Sequence, residues 1–194
     1  MSSEPPRRLF FALWPGGEER AALLHAVREL VRASGGRPVP PANLHVTLAF
    51  LGAVPAARVP HLSAIASRAA VAVPREAVPL ILTLQGVAHW AQSQVLAILA
   101  HEEPHSPPGA QALARRLCEE TAGAGFDPDL KPFRAHVTVA RKVARAPRAS
   151  AMRPVAWSFA AFALIESHTL GSGAAYSIVE SFVLGDAEKV RTEE

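Results

Sequence analysis

The sequence predicts an α+β fold, on three observations. Helical and strand-like periodicities interleave irregularly along the chain, and the order strand, helix, strand, helix, strand occurs roughly twice, with close strand pairs between. One hexapeptide recurs almost unchanged 91 residues after its first appearance, headed by histidine at positions 45 and 136. Of the 194 residues, 49% are apolar, enough to bury one sizeable core, so one folded unit over 1–194 is expected. A doubly wound parallel sheet is disfavoured, because it needs strands and helices in regular alternation.

Residues 8–13 form a continuous apolar run and read as the first strand, which Pro15, Gly16 and Gly17 interrupt. Over 18–33, Leu23, Leu24, Val27, Leu30 and Val31 recur at helical spacing, and Ser34, Gly35 and Gly36 end the helix. Pro38, Pro40 and Pro41 hold the chain extended before a second strand at 44–51, closed by Gly52. A helix is expected over 57–70, strands at 80–84 and 95–100, and a helix at 111–122. Three further strands are expected at 135–141, 157–165 and 177–184.

The single cysteine, Cys118, excludes an intrachain disulfide or a cysteine metal cluster, and it reads as a small buried hydrophobe. No apolar run approaches the roughly 18 residues of a membrane helix. The run at 9–14 is short for a signal segment and lacks a small-residue cleavage site. A cytoplasmic monomer with no membrane partner is therefore expected. Net charge is only +3, yet Lys131, Arg134, Arg141, Lys142, Arg145, Arg148 and Arg153 follow one another with no acid among them. That stretch suits phosphates, or else is a solvated loop in an arginine-rich chain.

The chemistry sits in the repeat. His45-Val46-Thr47-Leu48-Ala49-Phe50 and His136-Val137-Thr138-Val139-Ala140-Arg141 are nearly the same peptide. Two chance copies of His-x-Thr-apolar arise in roughly one such sequence in a hundred, so the duplication outweighs the usual reading of a lone histidine as structural. Side chains on a strand alternate faces, which puts His45 and Thr47 on one side and Val46 and Leu48 on the other; the second copy does likewise. A pseudo-twofold that joins the strands brings two imidazoles and two hydroxyls into one cleft. One neutral and one protonated imidazole suit phosphodiester chemistry, and threonine hydroxyls suit nonbridging phosphate oxygens. Arg141 stands five residues after His136, so it reaches the cleft only where the strand ends or bulges. Phe50 holds the equivalent place in the first copy, where core packing is expected in preference to stacking on a base. His25, His61, His89 and His168 show no such pattern and read as structural.

His101-Glu102-Glu103-Pro104-His105 matches the zinc-protease expression, but that chemistry needs both histidines on one continuous helix. Pro104, Pro107 and Pro108 break any such helix, so a polar loop is expected there and no metal site.

These paired motifs resemble the 2H phosphoesterases, specifically the RNA 2',3'-cyclic phosphodiesterases once described as 2'-5' RNA ligases. Arg8-Leu9-Phe10-Phe11-Ala12-Leu13 is similar to that family's first strand. The run from Pro41 to Gly52 is similar to its first catalytic segment, and Pro132 to Arg141 to its second. Ser167-His168-Thr169-Leu170, with Gly173 and Tyr176, resembles its closing hairpin. The resemblance implies a bilobal, pseudo-twofold fold: two antiparallel-rich sheets flanking a central cleft, with helices outside. It implies a cofactor-free reaction in which His136 accepts a proton from water and His45 donates one to the 3' oxygen, opening a terminal 2',3'-cyclic phosphate to a 2'-phosphate. Thr47, Thr138 and Arg141 would hold the phosphate. The partner would be RNA with a 2',3'-cyclic phosphate end, or a small cyclic nucleotide; a noncatalytic module that binds RNA ends is the remaining alternative. Two features depart from the family: Ala135 replaces the usual proline before the second histidine, and 85–94 lacks the usual aromatic pattern of the middle hairpin.

Overall fold

The computed structural model describes residues 4–101, 109–147, 151–171 and 173–185. Strand β1 (Arg7–Leu13) leads into helix α1 (Gly17–Ser34), and the two-residue strand β2 (Arg37–Pro38) follows. Strand β3 (Val46–Val54), helix α2 (Val59–Val71), strands β4 (Leu80–Trp90) and β5 (Val95–His101) and helix α3 (Ala110–Gly123) come next. Strands β6 (His136–Arg141), β7 (Ala151–Phe159), β8 (Ala161–Leu170) and β9 (Gly173–Val183) complete the fold.

The strands form two sheets, in the orders β3-β1-β8-β9 and β2-β6-β5-β4-β7, and every pair within them is antiparallel. The architecture is α+β. Each sheet contains a run of four strands that begins with a motif strand, β3 in the first and β6 in the second. Strand β2 breaks this correspondence: it covers the outer edge of β6, while β3 remains an edge.

Alternation on β1 sends Leu9, Phe11 and Leu13 into the main core, and Phe10 and Ala12 into a smaller cluster with Ala163 and Ile165 on the other face. The main core is continuous between the sheets, joining Leu80, Leu82, Leu84 and Trp157 to the buried faces of all three helices. Leu23, Val27 and Leu30 give α1 its buried stripe, Glu18 and Glu19 suit the positive end of its dipole, and Gly35 ends it in the left-handed conformation at φ 62°. The helix packs on β7, where Trp157 Nε1 donates to the Glu19 carbonyl at 2.9 Å and Ser158 N–H donates to the Glu19 carboxylate at 3.0 Å. Helices α2 and α3 pack on each other and cover the first sheet.

The strand expected over 157–165 is two strands in different sheets. The chain bends at Ala160, and the buried phase switches from Trp157 and Phe159 to Phe162 and Leu164. No glycine or proline marks this crossing, so the two apolar runs read as one. Strand β4 continues well beyond the expected 84, because it pairs with both β5 and β7. The zinc-protease expression falls largely on 102–108, outside the described residues, as does Arg148. Among the described residues no helix is long and apolar enough to cross a membrane.

Candidate active site

The two motifs place their histidines in matching ways. A turn at Pro41–Asn43 delivers His45 to the start of β3, and Asn43 Nδ2 ties that turn to the Ala174 carbonyl on β9 at 2.7 Å. His45 Nδ1 lies 2.7 Å from the carbonyl oxygen of Asn43, two residues back. His136 Nδ1 lies 2.7 Å from the carbonyl oxygen of Arg134, also two residues back. A carbonyl only accepts, so each Nδ1 carries the hydrogen and each Nε2 is left for chemistry. The His45 Nε2 stands 3.2 Å from Thr47 Oγ1.

His45, His136, Thr47, Thr138 and Arg141 all line one cavity of about 1070 Å³ between the sheets. Arg141 gets there by a bulge. In the pairing of β5 with β6, Leu96 faces Ala140 and Ala97 faces Thr138, which leaves Val139 as the extra residue. Val139 and Ala140 are consecutively buried, and the side chain of Arg141 swings back to the face of His136 and Thr138. The first motif carries the same device: Phe11 faces Ala49 and Ala12 faces Thr47, which leaves Leu48 extra. Phe50 is thereby half-buried in the cleft wall, with the Arg8 guanidinium 4.8 Å from its ring centroid. Phe50 packs on the smaller core cluster, as expected, and its remaining surface faces the cleft.

The surroundings of the two histidines differ. Three rings box His45: Phe10 at 5.0 Å, Tyr176 at 5.3 Å edge-on, and Trp14 stacked at 5.4 Å. His136 meets one, Trp90, edge-on at 4.6 Å. Burial in the box pushes the His45 imidazolium down to about 4; the Asn43 carbonyl opposes this, and the charges of His136, Arg141 and Arg20 add to it. His136 is also pushed below the usual histidine value, first by burial and then by the charge of Arg134, against the Arg134 carbonyl. Both shifts favour the neutral imidazole, and a negative charge close by acts in the opposite sense, favouring the imidazolium.

A second cavity of about 1270 Å³ adjoins the first, sharing His136, Thr47, Phe50 and Trp90 with it but not His45. It runs between α3 and the segment 129–134, which the Asp129 N–H holds to the Phe50 carbonyl at 2.9 Å. Cys118 lines this cavity half-buried, its thiol pushed up by burial and then by Asp129 and Glu119, as befits an unreactive side chain. His89 Nε2 lies 2.8 Å from the Val143 carbonyl oxygen, His168 pairs with Ser177, and His61 packs on Phe126; none lines the cleft. Among the described residues no group of three or more His, Cys, Asp or Glu is placed to hold a metal.

Phe10, Tyr176, Trp90, Arg8, Arg37 and Lys142 are cleft residues that motif reading did not select, and neither did it select Trp14, which backs His45. Alternation alone puts Phe10, Ala12 and Trp14 on one face of β1, but both faces of that strand are apolar, so the pattern does not say which is wet.

The chain matches the family model described as LigT like Phosphoesterase over residues 14–95. It is 33% identical to an RNA 2',3'-cyclic phosphodiesterase of Thermus thermophilus, over 91% of this chain and 90% of that one. An Escherichia coli protein of the same name is 34% identical over 73% of this chain and 75% of its own. The crystal structure of E. coli LigT complexed with 3'-AMP superposes with a TM-score of 0.79 at 29% identity, covering 94% of this chain and all of that one.

Proposed function

The chain belongs to the LigT-like phosphoesterase family, within the 2H superfamily, and from this we propose that it hydrolyses terminal 2',3'-cyclic phosphates of RNA to 2'-phosphomonoesters. Residues 1–194 act as one unit in which each sheet contributes one motif. His136 Nε2 accepts a proton from water as the water oxygen attacks phosphorus. The bond from phosphorus to the 3' oxygen breaks, and His45 Nε2 donates its proton to that oxygen, leaving a 3'-hydroxyl and a 2'-phosphate. Thr47, Thr138 and Arg141 hold the nonbridging oxygens and take up the charge that grows on them.

The observation that carries this reading is the matched anchoring of the two imidazoles, each with Nδ1 on a carbonyl two residues back and Nε2 available. The second cavity supports the division of labour. Water and leaving oxygen lie on opposite sides of phosphorus in an in-line displacement, and the second cavity is lined by His136 without His45. Both histidines and both threonines come from one chain.

The test is an oligoribonucleotide ending in a 2',3'-cyclic phosphate, incubated in EDTA with the protein and with His45→Ala and His136→Ala. Acid, base and phosphate ligands are all side chains, so conversion to a 2'-phosphate is expected with wild type in chelator. Each variant should lose roughly two to four orders of magnitude in rate. Turnover that either variant retains in full would remove that histidine from the mechanism.

A further inference from the structure

Arg20 is a partly buried cation that the reaction does not use, and it lines neither cavity. Its Nε and Nη2 are shut off from solvent and make no hydrogen bond among the described residues. Burial pushes the guanidinium down, against the charge of Glu19. That carboxylate is engaged elsewhere: it accepts from the Gly16 N–H at 2.6 Å and from the Ser158 N–H at 3.0 Å. Arg20 also stands in the first turn of α1, where a cation opposes the positive end of the helix dipole. Desolvation and the dipole both weigh against a guanidinium at this place.

What the guanidinium does meet is Trp14, 5.4 Å from the ring centroid and within cation–π range. The same indole is stacked on His45, centroids 5.4 Å apart and planes 19° from parallel. Trp14 precedes the helix N-cap Gly16 by two residues, so the turn into α1 brings Arg20 back onto the indole. Arg20 and His45 thus stand within about 11 Å of each other, close enough for a charge to act across a ring that excludes water. A protonated His45 places a second cation on one indole, and a π system already engaged by Arg20 stabilises it less. The charge of Arg20 opposes the His45 imidazolium, as do those of His136 and Arg141 on β6. Tyr176 of β9 meets the ring edge-on, and Arg8, Arg37 and Lys142 also line the cavity.

We propose that Arg20 is a positioning residue for the proton donor: through the Trp14 stack it holds the His45 ring in place and resists the gathering of positive charge on it. The proposal rests on the reading of His45 as general acid. A phosphate beside His45 pulls the other way, favouring the imidazolium. An acid that holds its proton too tightly yields it slowly to the leaving 3' oxygen, so a fixed cation against the indole keeps the donor strong while substrate is bound. Arg20 does this from outside the cleft, where it does not compete for the phosphate.

Arg20→Met and Arg20→Lys are compared with wild type by following histidine proton resonances against pH, with His45→Gln to assign the signals. Arg20→Met should raise the His45 midpoint by about one pH unit, the effect of a unit charge at this range where the effective dielectric is about 20, and leave His136 in place. Arg20→Lys keeps the charge and should keep most of the wild-type midpoint. In hydrolysis of a 2',3'-cyclic phosphate, Arg20→Met should lower the maximal kcat about threefold and move the basic limb of kcat to higher pH, as a weaker acid does. Its melting temperature should not fall, because an apolar chain of similar length replaces a desolvated cation. In a Trp14→Leu background, Arg20→Met should shift the His45 midpoint less than it does in wild type, because the ring that seats the guanidinium has gone. An unmoved His45 midpoint in Arg20→Met overturns the proposal, as does an equal shift of both histidines. A shift undiminished in the Trp14→Leu background overturns transmission through the indole. A lower melting temperature with wild-type midpoint and pH profile would make Arg20 a structural residue only. The titrations need no turnover, so a wild type that leaves cyclic phosphates intact would refute the hydrolase reading and still leave Arg20 to be judged on the midpoints.

Discussion

The Trp14 indole lies stacked on the His45 imidazole, ring centroids 5.4 Å apart and planes 19° from parallel, and the Arg20 guanidinium lies 5.4 Å from the same indole. This stack excludes water from one face of the imidazole and fixes its plane. Trp14→Leu should raise the His45 titration midpoint from its depressed value toward 6.5 and lower kcat about tenfold, while Trp14→Phe keeps most of both. Histidine proton resonances followed against pH give the answer, with His136 as internal control. Equal shifts of the two histidines would indicate general loosening of the cleft instead.

The rate should depend on pH differently for free and occupied enzyme. Both imidazoles are pushed below the ordinary value in the empty cleft, so kcat/KM should peak below about pH 6.5 and decline on its basic side as the acid loses its proton. Bound phosphate favours the imidazolium, which moves the basic limb of kcat to higher pH. Coincident basic limbs for kcat and kcat/KM would contradict this.

Stability should fall on acidification. His45 binds its proton with a value of about 4 in the folded chain and near 6.5 in the unfolded chain. Between these the unfolded chain holds more protons, so the stabilisation is complete above about 6.5 and is lost as pH drops toward 4. The loss is at most about 3 kcal/mol. His136 shifts in the same direction and adds to it. Urea midpoints at pH 7.5 and 5 measure the effect, and His45→Gln should flatten it.

Arg141 reaches the cleft through the Val139 bulge. Arg141→Ala should lower kcat/KM by about 10- to 100-fold, and Arg141→Lys should recover only part, because a point charge lacks the planar fork. Deleting Val139 should straighten β6 and turn Arg141 away, with a loss at least as large as that of Arg141→Ala. Full activity in the deletion would show that another cation serves the phosphate.

Gly36→Ala should cost about 1–3 kcal/mol, the usual range for overpacking, because the new Cβ meets Val143 and the Arg141 carbonyl. Thermal melting reads the loss. An unchanged melting temperature would mean that β2 can retreat from β6 freely.

Much of this was legible in the chain. Strict alternation at His45 to Leu48 and at His136 to Val139 identified both motif strands and their wet faces, because period-two patterning needs only local sequence. The bulges were not, although consecutive buried pairs, Leu48-Ala49 and Val139-Ala140, are their trace. A bulge depends on the partner strand's register, so the sequence alone could only make Arg141's arrival in the cleft conditional. The aromatic box was hidden for a related reason. Phe10, Trp14, His45 and Tyr176 come from β1, the residue after it, the residue before β3, and β9, and only the sheet order makes them neighbours. The crossing at Ala160 left no turn residue to read.

The box around His45 has a kinetic consequence. In the proposed reaction the proton taken from water stays on His136 and the one given to the 3' oxygen comes from His45, so the enzyme finishes in a different protonation isomer from the one that began. Walled in by Phe10, Trp14 and Tyr176, His45 can be reloaded only from the cleft side, after the 2'-phosphate has departed. The return of the two protons is thus a leg of the cycle in its own right, and mobile buffer acids small enough to enter the cleft become participants in turnover.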